Sequence, residues 1–487
     1  MSNHEKNISI EEILAEMADE TCRHTHDLYN IISTFKDILL EGVHHPEAKL
    51  RSPDLQYERF SQYVNRLSYT AEDIETFTNE SLATIMETSD KIRMQGLYAQ
   101  DVGDSLGLYI SALINNLREK TTLNLNPFPL KLGFLGYQLG RNQPHTINIK
   151  GITSDVGIGM MAGHISIDGI CENGLGAQMS GGDIDVDGCA YGDIGSGMRS
   201  GRIKVNGRPR FRKDTGDEGK GWRRYNQREY ETSPKGLAEN VGYGMQGGRI
   251  EITSDISGWL GVHMQGGEIH VKGDARDDVC RMMKGGKVII EGDVADYLCQ
   301  DMDDGDVYIK GSARDFASYN MISGRLTVEG NAGRFLCLSM KGGDVRILGD
   351  CDHNAGDSME GGKLIIEGSA ADSLGKDMKQ GSIEVYGPAK GFGSFPTGKG
   401  MSGGDITIGE DLGTSLGKAM TSGEIYVKGD AGACVGEDSI GRIYVEGRCG
   451  PYAGKGMRNG VLEIGRGYDE PLGDRQYGWI IVNGNII

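Results

Sequence analysis

The sequence predicts a mainly β protein: a parallel β-helix solenoid of about 16–17 coils of 19 residues, with an α-helical bundle at its N-terminus. Three observations carry the prediction. First, short alternating stretches such as IDVDG, IHVKG, VYIKG and IYVKG recur along the chain. Their first apolar residues run from Ile147 through Ile165, Ile184 and Ile203 to Leu462 and Ile480, seventeen in all and mostly 19 apart; three intervals are 18, one is 23 and one is 47. Second, glycine stands two residues before each of the sixteen later ones, from Gly163 to Gly478. Third, methionine stands about fourteen residues after them in fourteen coils, beginning with Met161 and Met179 and ending with Met457. A constant period of this length is the mark of a stacked repeat.

Each stretch alternates apolar and polar residues, so it reads as a strand with one face inward. The remaining residues of a unit are too few for a helical crossover, which leaves a single coil whose strand pairs with its neighbour. A glycine in every coil implies a corner that needs positive φ or has no space for a Cβ. The methionine column reads as flexible side chains filling the same core gap in each coil, in preference to soft metal ligands. Eleven residues after each strand start lies a column of small residues, among them Gly176, Gly195, Cys280, Cys299, Ser318, Cys337 and Gly356. Cys280 and Cys299 would stack on adjacent coils at about 5 Å. Because the same column accepts glycine and serine, space filling is preferred there over a disulfide or a cluster.

Residues 1–121 lack the repeat. Ser9-Ile-Glu-Glu12 is a capping box, a helical stripe of apolar residues follows to about residue 41, and Ser52-Pro53 opens a second helix. Two more helices are expected near 70–95 and 100–121. This section carries 21 acids against 11 bases over residues 1–120. Residues 122–146 are expected to link it to the solenoid, which occupies 147–487, and to cap its first coil.

Composition bounds the function. The chain of 487 residues has 70 acids, 51 bases and a net charge of -19, which argues against a general nucleic-acid binder. It has no apolar run long enough to span a membrane and no signal peptide. The odd number of cysteines, nine, reads as reduced thiols in a cytoplasm.

Candidate sites are few. The longest interval holds an insertion at about 208–236 with nine bases against five acids and interleaved aromatics. Arg210, Phe211, Arg212, Trp222, Arg223, Arg224 and Tyr225 are of the residue types that anchor protein partners. The 23-residue interval holds a smaller insertion with Phe392 and Phe395 as a second contact. Cys22, His24, His26, His44 and His45 resemble a metal set, but only Cys22 and His26 share a helix face, so no metal is assigned. Asp274, Glu291, Asp293 and Asp306 would be the acids of a carbohydrate-active β-helix. The preferred reading is that they are outward charges serving solubility and blocking edge pairing. No catalytic residue and no cofactor is assigned.

Units such as VGYGMQGGRIEI, LGKDMKQGSIEVYG and LGKAMTSGEIYVKGDAGACVG resemble the glycine-rich β-helix subunit of formylmethanofuran dehydrogenase. They also resemble the C-terminal domain of the large polypeptide of glutamate synthase. The resemblance covers about 147–484, and the N-terminal section falls outside it. It implies a right-handed parallel β-helix that is not itself catalytic and that buttresses other subunits handling one-carbon or ammonia chemistry. The function expected on this basis is a scaffold subunit of a cytoplasmic multi-subunit enzyme. Its partners would be other subunits, further copies of itself, or both, with neither nucleic acid nor membrane involved. A self-assembling filament and a carbohydrate-active enzyme are the alternatives.

Overall fold

Parallel pairing at a fixed register organises the chain. The structure is a computed structural model and describes residues 27–35, 52–87, 99–126, 131–207, 238–389, 397–474 and 477–487, with backbone only at 80–87 and 99–102. It is a parallel β-solenoid of about 16 turns repeating every 19 residues, and it divides into two compact units, Met1–Ser254 and Asp255–Ile487.

In the first unit the strand Thr146–Val156 aligns Ile147 with Ile165, which aligns in turn with Ile184, Ile203 and Ile250. In the second unit the same column runs from Ile269 through Val288, Val307, Leu326 and Val345 to Ile480. Burial alternates within each strand as the pattern requires: in Arg325–Val328, Leu326 and Val328 are inward while Thr327 is half-exposed. Each inward side chain is removed almost wholly from water, worth about 1.5–3 kcal/mol apiece. Residues 122–146, expected to link and cap, add a turn of their own. Thr122–Leu125 pairs in parallel with Thr146–Ile149, and Leu132–Gly133 with Thr153–Ser154.

Turns in the second unit touch their neighbours at a second point, by one-residue parallel bridges up to Cys449 and then by the two-residue pairing of Arg448–Cys449 with Gly467–Tyr468. These bridges connect Ile256, Ala275, Val294, Ala313, Ala332 and Cys351 in series and continue to Cys449. Between bridge and strand, the chain passes through left-handed residues nine, eleven and thirteen positions after the strand start. In one turn these are Tyr297, Cys299 and Asp301, at φ 63°, 57° and 53°. The amides of these three residues point alternately to the next, the previous and the next turn. Tyr297 donates to the Asp315 carbonyl on the next turn, Cys299 to Val279 on the previous one, and Asp301 to Tyr319 on the next. The small-residue column is therefore a conformational column as well as a steric one.

The glycine and methionine columns explain each other. A Cβ on Gly182 would fall 2.5 Å from Cε of Met160, one on Gly286 2.7 Å from Met264, and one on Gly362 2.7 Å from Met340. Each methionine methyl thus fills the space that the missing side chain leaves one turn on. Met161, expected in the core, is instead 44 % exposed, and Met160 is the buried residue. The first interval is one residue short, so fourteen positions overshoots the core by one.

Before the solenoid, residues 27–35 are helical, followed by helices Pro53–Val64, Ala71–Glu87 and Ala99–Asn116. Pro53 sits at the first position and Ser52 caps Leu55, as its sequence predicts. Tyr109 gathers three rings around itself: Phe35 at 5.2 Å, Phe60 at 5.8 Å and Phe77 at 6.1 Å between centroids. Its hydroxyl donates to the Ile31 carbonyl at 3.0 Å. Ser111 donates to the Phe134 carbonyl, and Asn115 to that of Tyr137, so the last helix is bonded to the first turn.

Candidate interaction ridge

The left-handed position nine residues into the turn varies along the second unit, from Asp278, Asn354 and Ser373 to large aromatic residues. Tyr297, Phe316 and Phe335 fill it on three successive turns at φ 63°, 62° and 60°. An aromatic residue in this conformation costs on the order of 1–3 kcal/mol unless its surroundings impose it. Two things impose it here. The Phe316 amide donates to the Arg334 carbonyl at 2.9 Å and the Phe335 amide to that of His353 at 3.0 Å. The rings also stack nearly parallel, with centroids 5.1 and 5.0 Å apart.

Charged side chains flank the stack. Asp315 accepts the Arg334 amide at 2.8 Å and its guanidinium at 2.8 and 3.1 Å. Partial burial raises the Asp315 pKa, but these bonds outweigh it and hold the carboxyl below the usual range. Arg314 is exposed beside them, and Tyr297 is 38 % exposed. Tyr, Phe and Arg on one rigid edge form a surface that can anchor another protein.

The smaller insertion lies in sequence between Ala389, a bridge residue, and Gly398, which occupies a left-handed corner. Phe392 and Phe395 themselves lie outside the described residues. So do Arg210, Phe211, Arg212, Trp222, Arg223, Arg224 and Tyr225, between Gly207 and Ala238. Cys22, His24, His26, His44 and His45 also lie outside them. The ridge was not among the sites expected from sequence, although its signal, three aromatics one period apart, was present in the repeat.

The four candidate acids all have partners. Asp274 caps the Asp293 amide at 2.9 Å, and Asp293 caps that of Ser312 at 2.7 Å. The series continues through Ser312 to Asn331 and on to Asp350. Glu291 bonds His270 at 2.8 Å and pairs with Lys310 at 3.5 Å; the bond to His270 keeps its pKa low. Asp306 pairs with Arg325 at 2.7 Å. The eight described cysteines are thiols, with no disulfide among them. Cys280 and Cys299 occupy the same position on neighbouring turns, and burial pushes the Cys299 thiol well up.

Among the described residues no helix is long and apolar enough to cross a membrane. Scanned against protein-family models, the chain matches none, and it matches no curated protein in sequence.

Proposed function

We propose that this chain is a scaffold subunit of a cytoplasmic multi-subunit enzyme, without catalytic activity of its own. In this reading the solenoid is a right-handed β-helix like those of formylmethanofuran dehydrogenase and glutamate synthase. It buttresses subunits that perform redox, one-carbon or amidotransfer chemistry. The helical section is a second docking or oligomerisation element, and the 208–236 insertion is a partner contact. The observation that carries the reading is the Tyr297–Phe316–Phe335 stack. It is a rigid aromatic edge of the kind that anchors a neighbour, on a fold whose candidate acids are committed to backbone amides and basic side chains.

The test is native mass spectrometry of the tagged chain purified gently from its own host, alongside a Phe316→Ser variant. Co-purifying metallohydrolase, pterin or flavin subunits, reduced in the variant, support the proposal. A bare homo-oligomer, or turnover of a polysaccharide or amide by the pure chain that a point change in the solenoid abolishes, overturns it.

A further inference from the structure

The outer edge of the first strand is closed by side chains imitating a missing strand. Within Thr122–Leu125, Leu123 and Leu125 are inward, and the strand pairs on one side with Thr146–Ile149. Its other side presents the amide and carbonyl of Asn124 and the amide of Asn126. A parallel neighbour would offer a carbonyl to the first amide and, two residues on, one residue bonding both remaining groups. Helix Ala71–Glu87 supplies this set from side chains. Glu75 Oε1 accepts the Asn124 amide at 2.5 Å, Asn79 Oδ1 accepts the Asn126 amide at 2.7 Å, and Asn79 Nδ2 donates to the Asn124 carbonyl at 3.2 Å.

The spacing makes the imitation possible. Residues four apart on a helix rise about 6 Å, close to the roughly 6.6 Å between alternate residues of a strand. The Asn79 carboxamide carries donor and acceptor on one planar group, as a peptide unit does. The helix is anchored independently, since Ile74 and Phe77 are buried and Phe77 packs on Phe35 and Tyr109.

We infer that Glu75 and Asn79 are an assembly stop, which keeps the solenoid's first edge from pairing with the edge of a second copy. An open parallel edge is a ready template for another chain, and the most similar edge available in a solution of this protein is its own. The inference holds whether or not the scaffold reading does.

The full-length Glu75→Ala/Asn79→Ala variant tests it. Hydrogen exchange at the Asn124 and Asn126 amides, measured at low protein concentration, should accelerate by about tenfold or more as their acceptors are lost. Light scattering after size exclusion should then show mass rising with concentration above that of the unaltered chain. Unchanged exchange at both amides would show that the side chains do not guard the edge. Faster exchange with unchanged mass at every concentration would show that the open edge does not recruit a copy. Either result overturns the inference. Should the double variant lose its β-sheet circular dichroism, the single variant Glu75→Ala serves instead. It removes the acceptor of the Asn124 amide while Asn79 still holds Asn126, and it is judged by exchange at the Asn124 amide and by the same mass measurement.

Discussion

A Cβ on Gly356 would lie 2.5 Å from Cδ1 of Ile383, the first inward strand residue two turns further along. The same relation joins Gly176 to Ile203, Gly195 to Ile250, Gly375 to Ile406, Gly417 to Ile443 and Gly454 to Ile480, at 2.5 or 2.6 Å. Where the strand residue two turns on is Val307, Leu326, Val345 or Leu364, the corner carries Cys280, Cys299, Ser318 or Cys337 instead. Isoleucine's extra reach and the corner's side chain thus compete for one space. Gly261 shows the relaxed case, because the nearest strand carbon to its missing Cβ is Val288 Cγ2, at 3.5 Å.

This relation predicts a mutational cycle. Gly356→Ala and Gly261→Ala both place a side chain at positive φ, at 68° and 66°, costing about 1–2 kcal/mol. Only Gly356→Ala also overpacks the core, which adds about 1–3 kcal/mol. Ile383→Val should recover most of that second term in the Gly356→Ala background. Denaturant unfolding of the four corners of the cycle measures the coupling, and additive effects would disprove the shared space.

The methionine column gives a simpler comparison. Met160→Ala empties a fully buried site next to Gly182, and a loss of about 2–5 kcal/mol is expected. Met161→Ala changes an exposed side chain and should stay within about 0.5 kcal/mol of the unaltered chain. Thermal or urea midpoints of the two variants separate the residues directly, and equal losses would contradict the placement.

The strands were legible in the sequence because alternation at Leu326–Val328 or Ile383–Val385 admits one register with the core. The glycine corners were legible, but the left-handed residues between bridge and strand were not. Asp278 and Asn354 tolerate positive φ, whereas Tyr297 and Phe316 have no such preference, and there it is imposed by amides bonding to carbonyls on the next turn. The clamp by Glu75 and Asn79 was hidden for the same reason: it joins residues 45 to 49 positions apart through tertiary geometry. Of the candidate sites, the acids were readable as residue types, but the partners of Asp274 and Asp293 appear only once the turns stack.

Those acids yield a third prediction. Their column already holds Ser312 and Asn331, which cap the next turn's amide just as Asp293 does. Asp293→Asn keeps an oxygen acceptor and should leave the unfolding midpoint nearly unchanged. Asp293→Ala leaves the Ser312 amide to water and should cost about 0.5–1.5 kcal/mol. If the carboxylate were catalytic instead, Asp293→Asn would abolish a turnover that the unaltered chain displays. A stability loss from Asp293→Asn as large as that from Asp293→Ala would refute the capping role.

The buried thiols set the response to alkali. Burial pushes Cys171 and Cys449 up to about 12, and raises Cys299, Cys337 and Cys351 as well. In the unfolded chain these thiols ionise near pH 8.5. A folded value above the unfolded one means that their contribution is fully present below about pH 8.5. It is lost as the pH rises from there toward the folded values, because the unfolded chain then releases protons that the folded chain retains. Each such thiol lowers the folding equilibrium constant about tenfold per pH unit in that window. Cys299→Ser/Cys337→Ser removes two of them, using the residue that Ser318 places at the same corner at φ 57°. The buried hydroxyls carry a cost that does not vary with pH over this range, so absolute stability falls while the slope flattens. Urea midpoints converted to free energies at intervals from pH 8 to 10 should give a slope shallower by about two protons in the double variant. An unchanged slope would mean that these thiols already ionise in the folded state.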